Sequence, residues 1–253
     1  MKLKLNINNR EFLCEYFTVH NLSNIQDLID TLENLIVKSQ GFRFLITLDD
    51  INQSTYTSMH SVINYDLDGG DWVDNENIDK TWLDEKYFKE NLNIENKFII
   101  RKLGFKHNLK EVEFEDIFNK ILFLNEDSKK EFMNANKNLL SIIDKKVYLL
   151  KIPVEQSYES IFAFPNGYFD CDLSPFENYY LSKYMSEKYD YHLIGMGASY
   201  ISFLKGIKFK NDKIDELVKF LMKLYVEEND EELSIFLKQT IFNQKILTLK
   251  YSE

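Results

Sequence analysis

The sequence predicts an α+β fold, with mixed or mainly antiparallel sheets and helices packed against them. Three observations lead there. Apolar and polar residues alternate in several short runs at hairpin spacing. Stretches with helical periodicity lie between groups of these runs instead of after each one, unlike a regular βαβ chain. Finally, 44% apolar residues with only 8 Gly and 3 Pro indicate a real core and well-formed elements joined by short polar loops.

In chain order, KLKLNI and EFLCEYFTV read as two strands able to form a hairpin across Asn8-Asn9-Arg10. Ser23 at the N-cap with Gln26 at N3 then opens a helix whose Ile25, Leu28, Ile29, Leu32, Leu35 and Ile36 share one face, and Gly41 ends it. FRFLITLDD and HSVINYDLD are expected as strands, DGGDWVDNENID as a polar turn, TWLDEKYFKENL as a short helix capped by Thr81, and KFIIRKLGF as another strand. Residues 109–143 read as helix in two pieces, the second opened by a capping box from Ser128 to Glu131. The last part predicts strands over KKVYLLKIPV and SIFAFPNGYF, a helix after Ser174 and a strand-like YHLIGMGASYISFL. It then predicts helices from about Asp212 and over EELSIFLKQTIF, and a final strand QKILTLKY. The expected division is an N-terminal α+β region, 1–144, and a C-terminal one, 145–253; no Gly, Pro or Ser-rich linker marks the boundary, and a single domain is the other reading.

Composition excludes several classes of function. A net charge of −10 opposes binding to nucleic acid, and only Arg10, Arg43 and Arg101 supply a guanidinium fork. No apolar run approaches the roughly 20 residues of a membrane span, and MKLKLNINNREF has no signal-peptide core, so a cytoplasmic protein is expected. Cys14 and Cys171 make neither a disulfide framework nor a zinc site and read as reduced thiols.

The chemistry-bearing residues are few. In FPNGYFDCDLSPFE, Ser174, Pro175 and Glu177 fit the N-cap, N1 and N3 positions of a helix, and Asn166-Gly167 fits a tight turn. Tyr168, Asp170 and Asp172 remain; on an extended segment the two carboxylates would point the same way. A second pair, Asp66 and Asp68, follows an apolar run and precedes Gly69, Gly70, Asp71, Trp72 and Asp74, while Asp49 and Asp50 close another. Asp-x-Asp after an apolar strand is one way to hold Mg²⁺ or Mn²⁺, although the calcium-loop pattern fails because Gly70 stands where an acid is required. GMGAS lacks the third glycine of a dinucleotide loop and is expected to be a bulge or close backbone approach. The four histidines show no ligand spacing, and a Cys171–His192 nucleophile is a pairing that only the fold can make. VEENDEEL adds an acidic connection between two helices.

Two functional readings follow. The first is an acidic cytoplasmic protein-binding module without catalytic activity or cofactor, such as a bacterial immunity protein that neutralises a basic toxin or enzyme. Its surface would comprise Asp66, Asp68, Asp71, Trp72, Asp74, Tyr168, Asp170 and Asp172. The alternative is an enzyme using Mg²⁺ or Mn²⁺ on Asp66, Asp68, Asp170 and Asp172 to act on a phosphorylated or nucleotide-sugar substrate. A subunit of a larger assembly is a third reading, and the oligomeric state is left open.

Overall fold

Seven strands form one sheet in the order β1-β2-β4-β3-β5-β6-β7 in a computed structural model that describes residues 1–6, 12–69, 72, 93–120, 122–227 and 229–252. The strands are β1 (Lys2–Asn6), β2 (Glu15–His20), β3 (Arg43–Thr47), β4 (Val147–Ile152), β5 (Tyr191–Met196), β6 (Tyr200–Lys205) and β7 (Ile246–Lys250). Strands β3 and β5 run parallel and every other neighbouring pair is antiparallel, so the sheet is mixed and the α+β expectation holds. Strand β4, which follows β3 only after several intervening helices, lies between β2 and β3.

The central strands are apolar on both faces, as a doubly covered sheet requires. On one face Phe44, Ile46, Val147, Leu149 and Ile194 pack with Leu28, Ile29 and Leu32 of helix α1 (Ile25–Lys38). On the other, Leu45, Tyr148, Leu150, Leu193 and Phe203 join the larger core. That core is built with α2 (Ile51–Asn64), α3 (Ile94–Asn108), α4 (Glu126–Lys137), α5 (Pro175–Tyr189), α6 (Ile214–Leu224) and α7 (Glu231–Asn243).

Several local expectations change. The segments read as strands at 60–68 and 97–105 are helical, in α2 with its following turn and in α3. Helix α3 is opened by Asn93, whose side chain accepts the Asn96 N–H, and this cap overrides the β-like run FII. SIFAFPNGYF is no strand either: a 3-10 helix, Ser157–Ala163, opens on a Gln156/Glu159 capping box. Among the described residues of 109–143, helix is limited to α4 and short 3-10 turns, among them Phe114–Phe118. The caps of α1 and α4 are Asn24 and Asn125, not Ser23 and Ser128, because the asparagine side chains reach the first free amides. YHLIGMGASYISFL divides into β5 and β6, with a register shift at Leu193/Gly195 where a bulge was expected. The 73–92 stretch, including the helix expected to be capped by Thr81, lies outside the described residues.

Two polar contacts hold the sheet's ends. Strand β7 is an edge strand, yet all five of its residues are buried. The Asn136 side-chain amide of α4 takes the place of a neighbouring strand: its Nδ2 donates to the Thr248 carbonyl (2.8 Å) and its Oδ1 accepts the Thr248 N–H (2.9 Å). The Tyr225 hydroxyl likewise accepts the Lys250 N–H at 2.9 Å. Asn136→Ala therefore strands two buried backbone groups and is expected to lower stability by about 2–4 kcal/mol in urea unfolding; a loss below about 0.5 kcal/mol would contradict this sealing role.

At the end of β3, Asp49 has φ 60° and turns its carboxylate onto the β5–β6 hairpin, where it accepts the N–H groups of Ser199 (2.8 Å) and Tyr200 (3.3 Å). Gly197 is required there, because a Cβ would lie 2.2 Å from Asp49 Oδ2. Burial pushes the Asp49 carboxyl up to about 6, against the pull of these amides and of Lys250. A carboxyl raised in the folded state favours folding fully below its unfolded value, near 3.8, and that contribution is lost as pH rises through about 6. Because Asp49 keeps some solvent contact, the gain in stability from pH 7 to pH 5 is expected to exceed that of Asp49→Asn by about 1 kcal/mol. Equal gains in the two proteins would show that Asp49 does not titrate in this window.

Candidate functional site

Helix α2 follows directly from this junction, capped by Asp50, whose side chain accepts the Gln53 N–H at 2.9 Å. Its polarity is inverted. The buried face carries Ser54, Thr57, Ser58 and Ser61 after Ile51, while Tyr56, Met59 and Ile63 are 49%, 51% and 62% exposed. Two of the buried hydroxyls are accommodated by hydrogen bonds: Ser54 Oγ donates to the Leu48 carbonyl at 2.7 Å, and Thr57 Oγ1 donates to Asn166 Oδ1. Helix α2 is thereby fastened to the 164–173 segment.

That segment is irregular. Gly167 has φ 109°, and a Cβ there would meet the Leu173 carbonyl at 1.9 Å, so the Asn-Gly pair serves a close crossing and not a hairpin tip. Asn178 of α5 holds both ends, donating from Nδ2 to the carbonyls of Asn166 (3.2 Å) and Leu173 (3.0 Å). The Ser174/Glu177 capping box with Pro175 in the first turn forms as expected.

Tyr168 and Phe169 emerge from this corner beside α2. A chain of ring contacts runs Tyr56–His60 (4.2 Å), His60–Tyr168 (4.9 Å) and Tyr168–Phe169 (5.1 Å), and Phe169 is 47% exposed. Two elements about a hundred residues apart thus share an aromatic surface. A groove of about 310 Å³ runs along the inner edge of α2, lined by Thr55, Met59, Val62, Phe164, Asp68 and Arg101.

The acidic pairs separate. Asp170 and Asp172 do not lie on an extended segment: the Asp172 N–H closes a turn onto the Phe169 carbonyl (3.0 Å), which leaves Asp170 exposed and Asp172 2% exposed. Their expected common orientation is therefore lost. Lys120 Nζ donates to the Asp170 carbonyl at 2.6 Å. Asp66 faces solvent with φ 47°, while Asp68 makes a two-pronged ion pair with the nearly buried Arg101. Trp72 is buried and donates from Nε1 to the Asp66 carbonyl (2.8 Å), with Gly104 leaving room for its ring. Asp71 and Asp74 lie outside the described residues. Among the described residues no three His, Cys, Asp or Glu side chains converge as a metal site would require. Cys171 is exposed, and both ring nitrogens of His192 are engaged by Ser186 and Asp190 instead of a thiol.

Tyr56, Met59 and Ile63 were not among the residues expected to form a surface. Their signal was present: Ser54, Thr57, Ser58 and Ser61 recur at helical spacing, but with hydroxyls where apolar residues are sought. Comparison of the chain with protein-family models, curated proteins and solved structures finds no match.

Asp68→Ala is expected to cost about 1–3 kcal/mol, since it leaves Arg101 nearly buried without its carboxylate. The double variant with Arg101→Met should recover most of that loss in chemical denaturation; no recovery would mean that the pair contributes mainly through packing.

Proposed function

We propose that the protein is a protein-binding module that docks a basic partner on the outer face of α2 and the Tyr168–Asp170 corner. The inverted polarity of α2 carries this reading. A helix that buries hydroxyls and turns Tyr, Met and Ile outward sacrifices apolar burial within its own fold, which is favourable when a partner covers that face. Aromatic and apolar anchors with charged residues around them suit the centre and rim of an interface. Asp66 and Asp170 lie exposed beside the patch, and the chain's −10 charge would steer a cationic partner toward it.

In its specific form the module neutralises a basic toxin or enzyme, as an immunity protein does, and acts in the cytoplasm. Cys171 is exposed and forms no disulfide, which is compatible with a reducing compartment. Among the described residues no helix is long and apolar enough to cross a membrane.

The product of the adjacent gene is the first partner to test, by calorimetry with the purified proteins at increasing salt. Binding is expected to weaken as salt rises and to fall by about 30-fold or more in Tyr56→Ser/Ile63→Ser/Phe169→Ser, whose melting temperature should stay close to wild type. Undiminished binding by this variant would remove the patch from the interface. No binding at low salt by that product or by proteins captured from the source cells would overturn the function.

A further inference from the structure

Helix α5 ends at Tyr189, and Asp190 turns the chain into β5 with a left-handed φ of 55°. That turn gathers Ser186, four residues earlier, and His192, two residues later, around Asp190. Ser186 Oγ donates to His192 Nδ1 at 3.2 Å, and His192 Nε2 donates to Asp190 Oδ1 at 3.0 Å. The tautomer follows from Asp190: a carboxylate only accepts, so Nε2 carries the proton and the Nδ1 lone pair faces the hydroxyl.

Asp190 is fixed from its other side. Its Oδ2 accepts the Lys208 N–H at 2.6 Å, and its carbonyl accepts the Gly206 N–H at 2.7 Å. Gly206 lies so close that a Cβ there would stand 2.3 Å from Asp190 Oδ2. The carboxylate that orients the imidazole is thus itself held by the β6–α6 connection.

Serine, imidazole and carboxylate in hydrogen-bonded series activate a hydroxyl nucleophile, whatever their order in a chain. Here Ser186 and Asp190 line a cavity of about 370 Å³ together with Tyr189, Phe209, Lys208 and Lys210. The ammonium groups of Lys208 and Lys210 have no partner among the described residues, whereas the nearby Lys213 is tied to Glu216 at 2.7 Å.

We propose that Ser186, His192 and Asp190 form a nucleophilic site that hydrolyses small esters whose acyl group carries a carboxylate. Ser186 Oγ attacks the ester carbonyl while its proton passes to His192 Nδ1. The C–O bond to the alcohol breaks, and the departing alkoxide takes that proton. Water then gives a proton to Nδ1 and attacks the acyl carbon; the acid is released and Ser186 Oγ recovers the proton. Lys208 and Lys210 attract the substrate carboxylate and stabilise the developing oxyanion. Asp190 is a positioning residue.

A fluorophosphonate probe tests the nucleophile without a known substrate. The Ser186 O–P bond forms, the P–F bond breaks, the hydroxyl proton goes to His192 and fluoride leaves. Intact-mass analysis of the full chain is expected to show one adduct, on Ser186, absent in Ser186→Ala and formed about 100-fold more slowly in His192→Gln. Asp190→Asn should shift the pH dependence of labelling. For the substrate class, p-nitrophenyl hemisuccinate should be cleaved faster than p-nitrophenyl acetate, with the preference lost in Lys208→Ala/Lys210→Ala. No Ser186 adduct, or labelling at the wild-type rate in a folded His192→Gln protein, overturns the site. Equal cleavage of the two esters overturns the substrate class.

Discussion

Asn166 joins three segments that are distant in the chain. Its side-chain oxygen receives the Thr57 hydroxyl from α2, and its carbonyl receives the Asn178 amide from α5. Helix α2 has little apolar surface to bury, so its placement depends on these directional bonds more than on hydrophobic area. Hydrophobic packing tolerates sliding, whereas hydroxyl-to-amide contacts fix one register. The face that α2 turns outward, and therefore the whole candidate surface, is set by this polar seam. The seam is incompletely satisfied: among the described residues Ser61 Oγ, Asn166 Nδ2 and Asn178 Oδ1 have no hydrogen-bond partner. This region is therefore held for its geometry at some expense in stability.

What the sequence disclosed follows from which interaction dominates each element. The strands were readable because β-branched, leucine and aromatic side chains fill both faces of the sheet, as in VYLLKI of β4. Helices α1 and α6 were readable because their apolar residues repeat along one face. Ser174, Pro175 and Glu177 were readable because capping is local chemistry, decided within four residues. Helices α2 and α3 were misread for opposite reasons. The first hides hydroxyls and shows apolar groups, and the second carries the consecutive apolar run FII, which resembles a buried strand.

The sites were harder to read because they arise from juxtaposition. Tyr168 and Asp170 were singled out by composition, yet the surface they join depends on Tyr56 and Ile63, which only the Thr57–Asn166 contact brings alongside. Asp66 and Asp68 shared a motif but not an environment, since Arg101 captures one of them from α3. His192 met Ser186 and Asp190 through a left-handed residue at a helix end. A spacing of four and two residues across a predicted helix-to-strand junction was its one local trace.

The Asn136 contact at β7 also bears on how copies of this chain meet one another. An edge strand is a template for any extended segment that offers matching amides and carbonyls. At β7 that template is closed from within, because a side chain of the same molecule already occupies the central rungs. Among the described residues the sheet's other border is β1, where Lys2 and Lys4 carry positive charge within an acidic protein. Continuous head-to-tail growth through the sheet needs two open borders per molecule, and the closure of β7 removes one of them.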